Sequence, residues 1–185
     1  MLRAFLMAVW VLTGASAFAQ QDEESLPTSS DELSVEVLVF AFPSGGEGAE
    51  LASGTHFEIL GGTSIEASGT GRYVELEAQA RKLAPAFTRL SASSETKPLL
   101  FTAWRQGLSD QQWVTLKASR AGELVGRVLL KPGKPLSVRV ELNFRSSDDR
   151  MFRVRSTRPA HFNETLYFDH PAFGALVRIG EPGAP

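Results

Sequence analysis

The chain has no cysteine among its 185 residues. Disulfides, thiolate nucleophiles, iron–sulfur clusters and cysteine-ligated zinc are therefore excluded. Histidine is scarce, with three copies, and tyrosine scarcer, with two, so side chains that move protons near neutral pH are few. No G-x-S-x-G elbow, H-E-x-x-H helix or phosphate-cradling P-loop occurs; the glycine-rich "SGGEGAELASG" lacks the spacing and the lysine of the last. After the first twenty residues no run is apolar enough to cross a bilayer.

The opening "MLRAFLMAVWVLTGASAFAQ" has one positive charge at Arg3, an apolar run, and the small-residue pattern Ala17-Phe18-Ala19. This is the form of an export signal cleaved after Ala19, with residues 1–19 removed and no transmembrane segment in the mature protein. The chain therefore reads as a secreted one. A mature domain of that size buries about 70 % of its unfolded-chain surface and needs no disulfide to stay folded in an oxidising compartment.

A net charge of −2 conceals an asymmetry. Residues 20–100 carry 13 Asp/Glu against 5 Lys/Arg, whereas residues 101–185 carry 13 Lys/Arg, 10 of them arginine, against 8 Asp/Glu. The planar guanidinium donates two parallel hydrogen bonds to carboxylates and phosphates. An arginine-rich half is therefore either a solvated sheet face or an anion-binding one. Nucleic acid is excluded as a partner by export, the negative net charge and the lack of an aromatic–basic motif.

Residues 20–32 are acidic and serine-rich, the composition of a disordered tether. "LSVEVLVFAF", Leu33–Phe42, reads as a central strand covered on both faces. Pro43–Tyr73 is a Gly/Ser-rich loop with one weak strand near His56–Leu60. In Glu75–Ser93, the residues Leu76, Ala80, Leu83, Phe87 and Leu90 recur at helical spacing, and Pro85 either kinks this helix or starts a second one. A strand over Lys97–Gln106 follows, suggesting a right-handed crossover from the first strand. The remainder alternates as β-structure. In Pro135–Phe144, Leu136, Val138, Val140, Leu142 and Phe144 share the core face, and Arg139 and Glu141 the other. "MFRVRSTR" and "HFNETLYFD" continue this meander, and residues 181–185 form a flexible tail. The fold class is α+β, a single domain over 33–180 in which a mainly antiparallel sheet carries one helical region on one face.

Alternation places Arg127, Arg139, Arg153 and Arg155 on one sheet face, with Tyr167 beside them. Pairing Lys131 with Pro135 across the turn sets Arg127 opposite Arg139, a like-charge pair that wants an anion. The next hairpin allows two registers, one setting Glu141 and the other Arg139 opposite Arg155. Trp104 and Trp113 read either as core or as platforms for a sugar ring.

The segment "LYFDHPAFGALVRI", Leu166–Ile179, holds an Asp169–His170 pair. Neighbours in a turn rarely face each other, and Pro171 holds His170 extended. The pair therefore reads as a turn in which Asp169 binds backbone amides, with Gly174 allowing close packing. His161 and Glu164 point to opposite faces of an extended strand and do not converge on a metal.

The export signal, "VEVLVF", "PLLFTAWRQ" after the helix, the β meander and the terminal "YFDHPAFGALVRI" occur in an order that resembles the CsiV-type family of proteobacterial periplasmic proteins, described as peptidoglycan-binding. The resemblance spans Leu33–Ile179. It implies a non-enzymatic protein without cofactor that binds peptidoglycan and assists its assembly through periplasmic activators of the synthases. On the residues alone, a cell-wall hydrolase using Asp169 and His170, or an adaptor that binds only protein, stays open. Stem-peptide carboxylates would suit Arg127, Arg139, Arg153 and Arg155, and a sugar would suit Tyr167.

Overall fold

A computed structural model describes residues 31–45, 61–65, 73–119 and 121–183. The export signal, most of the acidic tether, and the weak strand at His56–Leu60 lie outside the described residues.

Among the described residues, nine strands form two antiparallel sheets. Strand β1 (Glu32–Ala41) is the centre of a five-stranded sheet, flanked by β3 (Lys97–Gly107) and β9 (Phe173–Ile179). The short β2 (Val74–Glu75) and β8 (Thr165–His170) are its edges. The second sheet runs β4 (Val114–Ala118), β5 (Glu123–Lys131), β6 (Leu136–Arg145), β7 (Met151–Ala160).

The sheets pack face to face. Val35, Val37 and Val39 of β1 meet Val138, Val140 and Leu142 of β6 in one continuous cluster that also holds Phe152, Phe168 and Phe173. These β-branched and aromatic residues recur every second position, so each strand delivers one apolar row. Trp104 lies fully inside, and its indole N–H donates to Gln106 Oε1 at 2.7 Å. The Gln106 amide in turn reaches Asp110 O at 3.3 Å, so the buried polar pair is satisfied.

The β1 sheet is covered on its other face too. The only α-helix among the described residues, α1 (Ala84–Ala92), follows a 3-10 turn at Ala78–Ala80, with Pro85 in its first turn. Of the two sequence expectations, the fresh helix start holds. Leu83, Phe87 and Leu90 lie over Leu38, Phe40, Phe101 and Leu176, with Phe87 stacked on Phe101 at 5.2 Å. The helix entry is pinned by Glu36, whose carboxylate is 1 % exposed. It accepts the Lys82 N–H at 2.9 Å and the Leu83 N–H at 2.8 Å, donors that a helix start would otherwise leave unpaired.

The mainly antiparallel α+β class and the central, doubly covered first strand stand. Two details of connection do not. Strands β1 and β3 are antiparallel neighbours, with Val35 opposite Trp104, so no crossover joins them. Strand β8 leaves the meander after β7 and pairs with β9 instead, Leu166 opposite Val177. Alternation assigned Leu166 and Phe168 inward correctly, but period two does not say which sheet a strand joins.

Glu36→Ala should strip both amides of their acceptor in a buried site, lowering stability by on the order of 3 kcal/mol. Urea unfolding, with hydrogen exchange at Lys82 and Leu83, checks this: exchange there should accelerate more than in the inner strands.

Candidate functional site

The outer face of the four-stranded sheet carries the arginines. Both hairpin registers converge on Glu141. In the β5–β6 pair Lys131 faces Ser137, so Arg127 lies opposite Glu141 and Leu129 opposite Arg139. The like-charge pairing of Arg127 with Arg139 is thus corrected by a two-residue slip, which keeps every side chain on its expected face. In the β6–β7 pair Glu141 faces Arg155, which resolves the open register in favour of charge pairing.

Glu141 is 4 % exposed in the middle of this face. Arg127 grips Oε2 with Nη2 at 2.7 Å and Nε at 2.9 Å, and Arg139 reaches Oε1 at 2.8 Å. Burial alone would raise this carboxyl, but the hydrogen bond and charge of Arg127, then those of Arg139, outweigh it and hold the group below its ordinary value. A remaining guanidinium donor of the cluster is met from outside the sheet. Gly61 O accepts from Arg127 Nη1 at 3.3 Å. The loop reaches that position because Thr63 bridges β4, donating its N–H to Trp113 O at 2.7 Å and accepting the Thr115 N–H at 2.9 Å. A Cβ on Gly62 would stand 2.7 Å from Trp113 O, so only glycine allows this approach.

Trp113 belongs to this face. It is half-buried, with the Arg127 guanidinium 4.2 Å and the Arg139 guanidinium 5.3 Å from its ring centroid. The signal was present in "QQWVTLK": Val114 and Leu116 point inward, so Trp113 and Thr115 point outward. Arg153 is half-buried and donates to Asn143 Oδ1 at 2.8 Å, directly across the ladder. The side chain of Arg139 is 46 % exposed, and Arg155 is exposed. The four arginines therefore share a face but not a role. Arg127 and Arg153 brace the sheet, while Arg139 and Arg155 present charge to solvent.

Tyr167 is not among them. It lies on β8 in the other sheet, 38 % exposed, on the outer side beside the helix. Its ring stacks on Phe40 at 6.4 Å and 4° above Gly174, where a Cβ would stand 2.8 Å from both rings. Its hydroxyl donates to Asp169 Oδ1 at 2.7 Å. Partial burial, together with that bond and charge, pushes the phenol up to about 12.

The Asp169–His170 pair does not converge. Asp169 follows Tyr167 on the outer side, while the His170 ring lies between Phe152 at 5.6 Å and Phe173 at 5.1 Å. The turn role expected of Asp169 belongs to His170, whose Nδ1 accepts the Ala172 N–H at 3.1 Å. That bond needs a bare nitrogen. Burial lowers the His170 pKa against the opposing pull of Asp169, which keeps the ring neutral. No group of three His, Asp or Glu able to hold a metal occurs among the described residues.

Two acid-sensitive groups follow from this. A histidine with a folded pKa below 6.5 contributes stability above that value and loses it as pH falls toward the folded pKa. The wild type should therefore melt lower at pH 5.5 than at pH 7.5, and His170→Asn, which keeps an acceptor but does not titrate, should narrow that gap. The Glu141 contribution is present above about 4.5 and is lost as pH falls through its lowered folded value. Arg127→Gln should cost about 2 kcal/mol because it uncouples a buried carboxylate, whereas Arg139→Gln, at an exposed position, should cost under about 1 kcal/mol. Thermal melts of the three variants across pH decide both points.

Compared with protein-family models, with curated proteins and with solved structures, the chain matches none.

Proposed function

We propose that this is a non-enzymatic periplasmic protein that binds peptidoglycan on the outer face of its four-stranded sheet and assists cell-wall assembly alongside periplasmic activators of the synthases. The reading rests on the sequence resemblance, on the export signal, and on one structural observation. Arg139 and Arg155 are exposed side chains on the outer face of an antiparallel sheet, beside a half-buried Trp113. Carboxylates of stem peptides fit the forked donors, and an indole edge at the same face offers apolar surface to a sugar. Trp113 takes the place that Tyr167 held in the sequence expectation. An exposed sheet face suits a polymer better than a single small substrate, which a cleft would enclose.

The hydrolase alternative loses its motivation, because Asp169 and His170 engage separate partners on opposite sides of β8. The adaptor alternative differs from the proposal in having no affinity for the wall itself.

Co-sedimentation with purified sacculi tests the reading. Wild-type protein should pellet with sacculi, and less so as salt rises through the physiological range, where the Debye length is about 8 Å. The double variant Arg139→Gln/Arg155→Gln should bind several-fold more weakly while melting close to wild type. Failure of the wild type to pellet would favour the adaptor. Salt-independent binding, unchanged in the double variant, would move the contact off this face.

A further inference from the structure

We infer that the opposite side of the molecule holds a second, independent site, a pocket for a compact oxyanion at the open end of the β1 sheet. It lies on the outer face of that sheet, beyond the entry to α1, and has a volume of about 210 Å³. Ser34 of β1, Arg105 of β3 and Arg178 of β9 line it from the strands, and Lys82 from the helix entry.

The register brings these groups together. Ser34 faces Arg105, and Glu36, one step along the same face, lies opposite Arg178. Gly180 continues β9 beside Ser34, to which it donates its N–H at 2.8 Å. Period-two alternation thus stacks two guanidinium groups from neighbours of β1 on one side of the sheet.

Their charges are poorly balanced. Arg105 and Lys82 are exposed and form no ion pair among the described residues. Arg178 is half-buried, yet among the described residues its hydrogen bonds go to Asn163, to the backbone oxygen and to Oδ1 at 3.1 Å, both neutral acceptors. Its Nε is closed off from solvent with no acceptor among the described residues. The nearest buried carboxylate, Glu36, turns its two oxygens to the Lys82 and Leu83 amides. Among the described residues, Glu32 is the one acidic residue lining the pocket. Three cations therefore face two carboxylates, one of which is committed to backbone. A half-buried guanidinium satisfied only by neutral oxygens is an arrangement that an added anion stabilises.

The shared chemistry is an oxygen anion of the size of a carboxylate or phosphate group. A phosphate would use the fork of Arg105 together with the Lys82 ammonium and the Ser34 hydroxyl. A carboxylate would use two of the three. The arms of the test separate these sources.

The experiment is a titration of the full chain, followed through the arginine Nε–Hε and Ser34 amide resonances, with inorganic phosphate in one arm and acetate in the other, at ionic strength held constant with chloride. Saturable shifts centred on Arg105 and Arg178 are expected in at least one arm. Arg105→Gln should weaken that binding about tenfold, the loss of one charge-assisted contact. Arg178 also ties down the turn at Asn163, so Lys82→Gln serves as the second variant and should weaken binding without altering the fold. Arg139→Gln, on the other sheet, should leave it unchanged, which keeps this site distinguishable from the sacculus-binding face. Linear shifts spread over all arginines, or an affinity equal in wild type, Arg105→Gln and Lys82→Gln, would overturn the site.

Discussion

One carboxylate, that of Glu141, lets the basic sheet exist. Strand β6 lies between two strands that each bring arginine to the same outer face, and opposed guanidinium groups would repel. The structure answers by aligning Arg127 on one side and Arg155 on the other with the single acidic residue of the β6 row. Both hairpin registers are thereby coupled to one position. A slip of two residues in either ladder would keep the apolar rows facing the core, so hydrophobic burial does not distinguish the alternatives. Electrostatic pairing does, and this gives Glu141 a part in choosing the register as well as in holding it.

Glu36 is the counterpart of Glu141 in the other sheet, and the two solve burial differently. Each lies on the outer face of a central strand and is nearly inaccessible. Glu141 is compensated by guanidinium side chains, which can also reach outward, so that face remains charged and solvated. Glu36 is compensated by backbone amides at the helix entry, which consume its acceptors and fix the helix against the sheet. One carboxylate thus organises a surface and the other organises a tertiary contact. The cations around Glu36 are left without it as a side-chain partner, while those around Glu141 share it.

Much of this was legible in the sequence, because period two assigns faces without reference to partners. Leu136 to Phe144 inward, Arg139 and Glu141 outward, and the burial of Ala175, Val177 and Ile179 follow from alternation alone. Registers were less legible. The turn between β5 and β6 contains Pro132, Gly133 and Pro135, and its length decides which residues meet; a tighter closure would have opposed Arg127 to Arg139. The sheet joined by β8 was not legible either, since alternation is the same in both sheets, and Tyr167 consequently moved from the arginine face to the helix side. The exchange of roles between Asp169 and His170 has a similar origin. A chain that turns at Pro171 brings the Ala172 N–H to the imidazole, whereas Asp169, still in the strand, meets Tyr167 two residues away on its own face.

The charge distribution bears on how such a surface could find a ligand. The whole chain has a net charge of −2, so at long range it does not draw anions in; steering of that kind requires a net field that survives screening. Selectivity for an anionic polymer has to arise at contact, where a guanidinium within a few ångströms of a carboxylate is only partly screened. Repetition matters in that regime. A single exposed arginine contact is worth little, but on the proposed reading a polymer presenting carboxylates at intervals would engage Arg139 and Arg155 together, and the second contact would form at the high effective concentration set by the first. A rigid sheet favours this, because the two guanidinium groups stand on adjacent strands that are already ordered, and binding need not order the backbone beneath them.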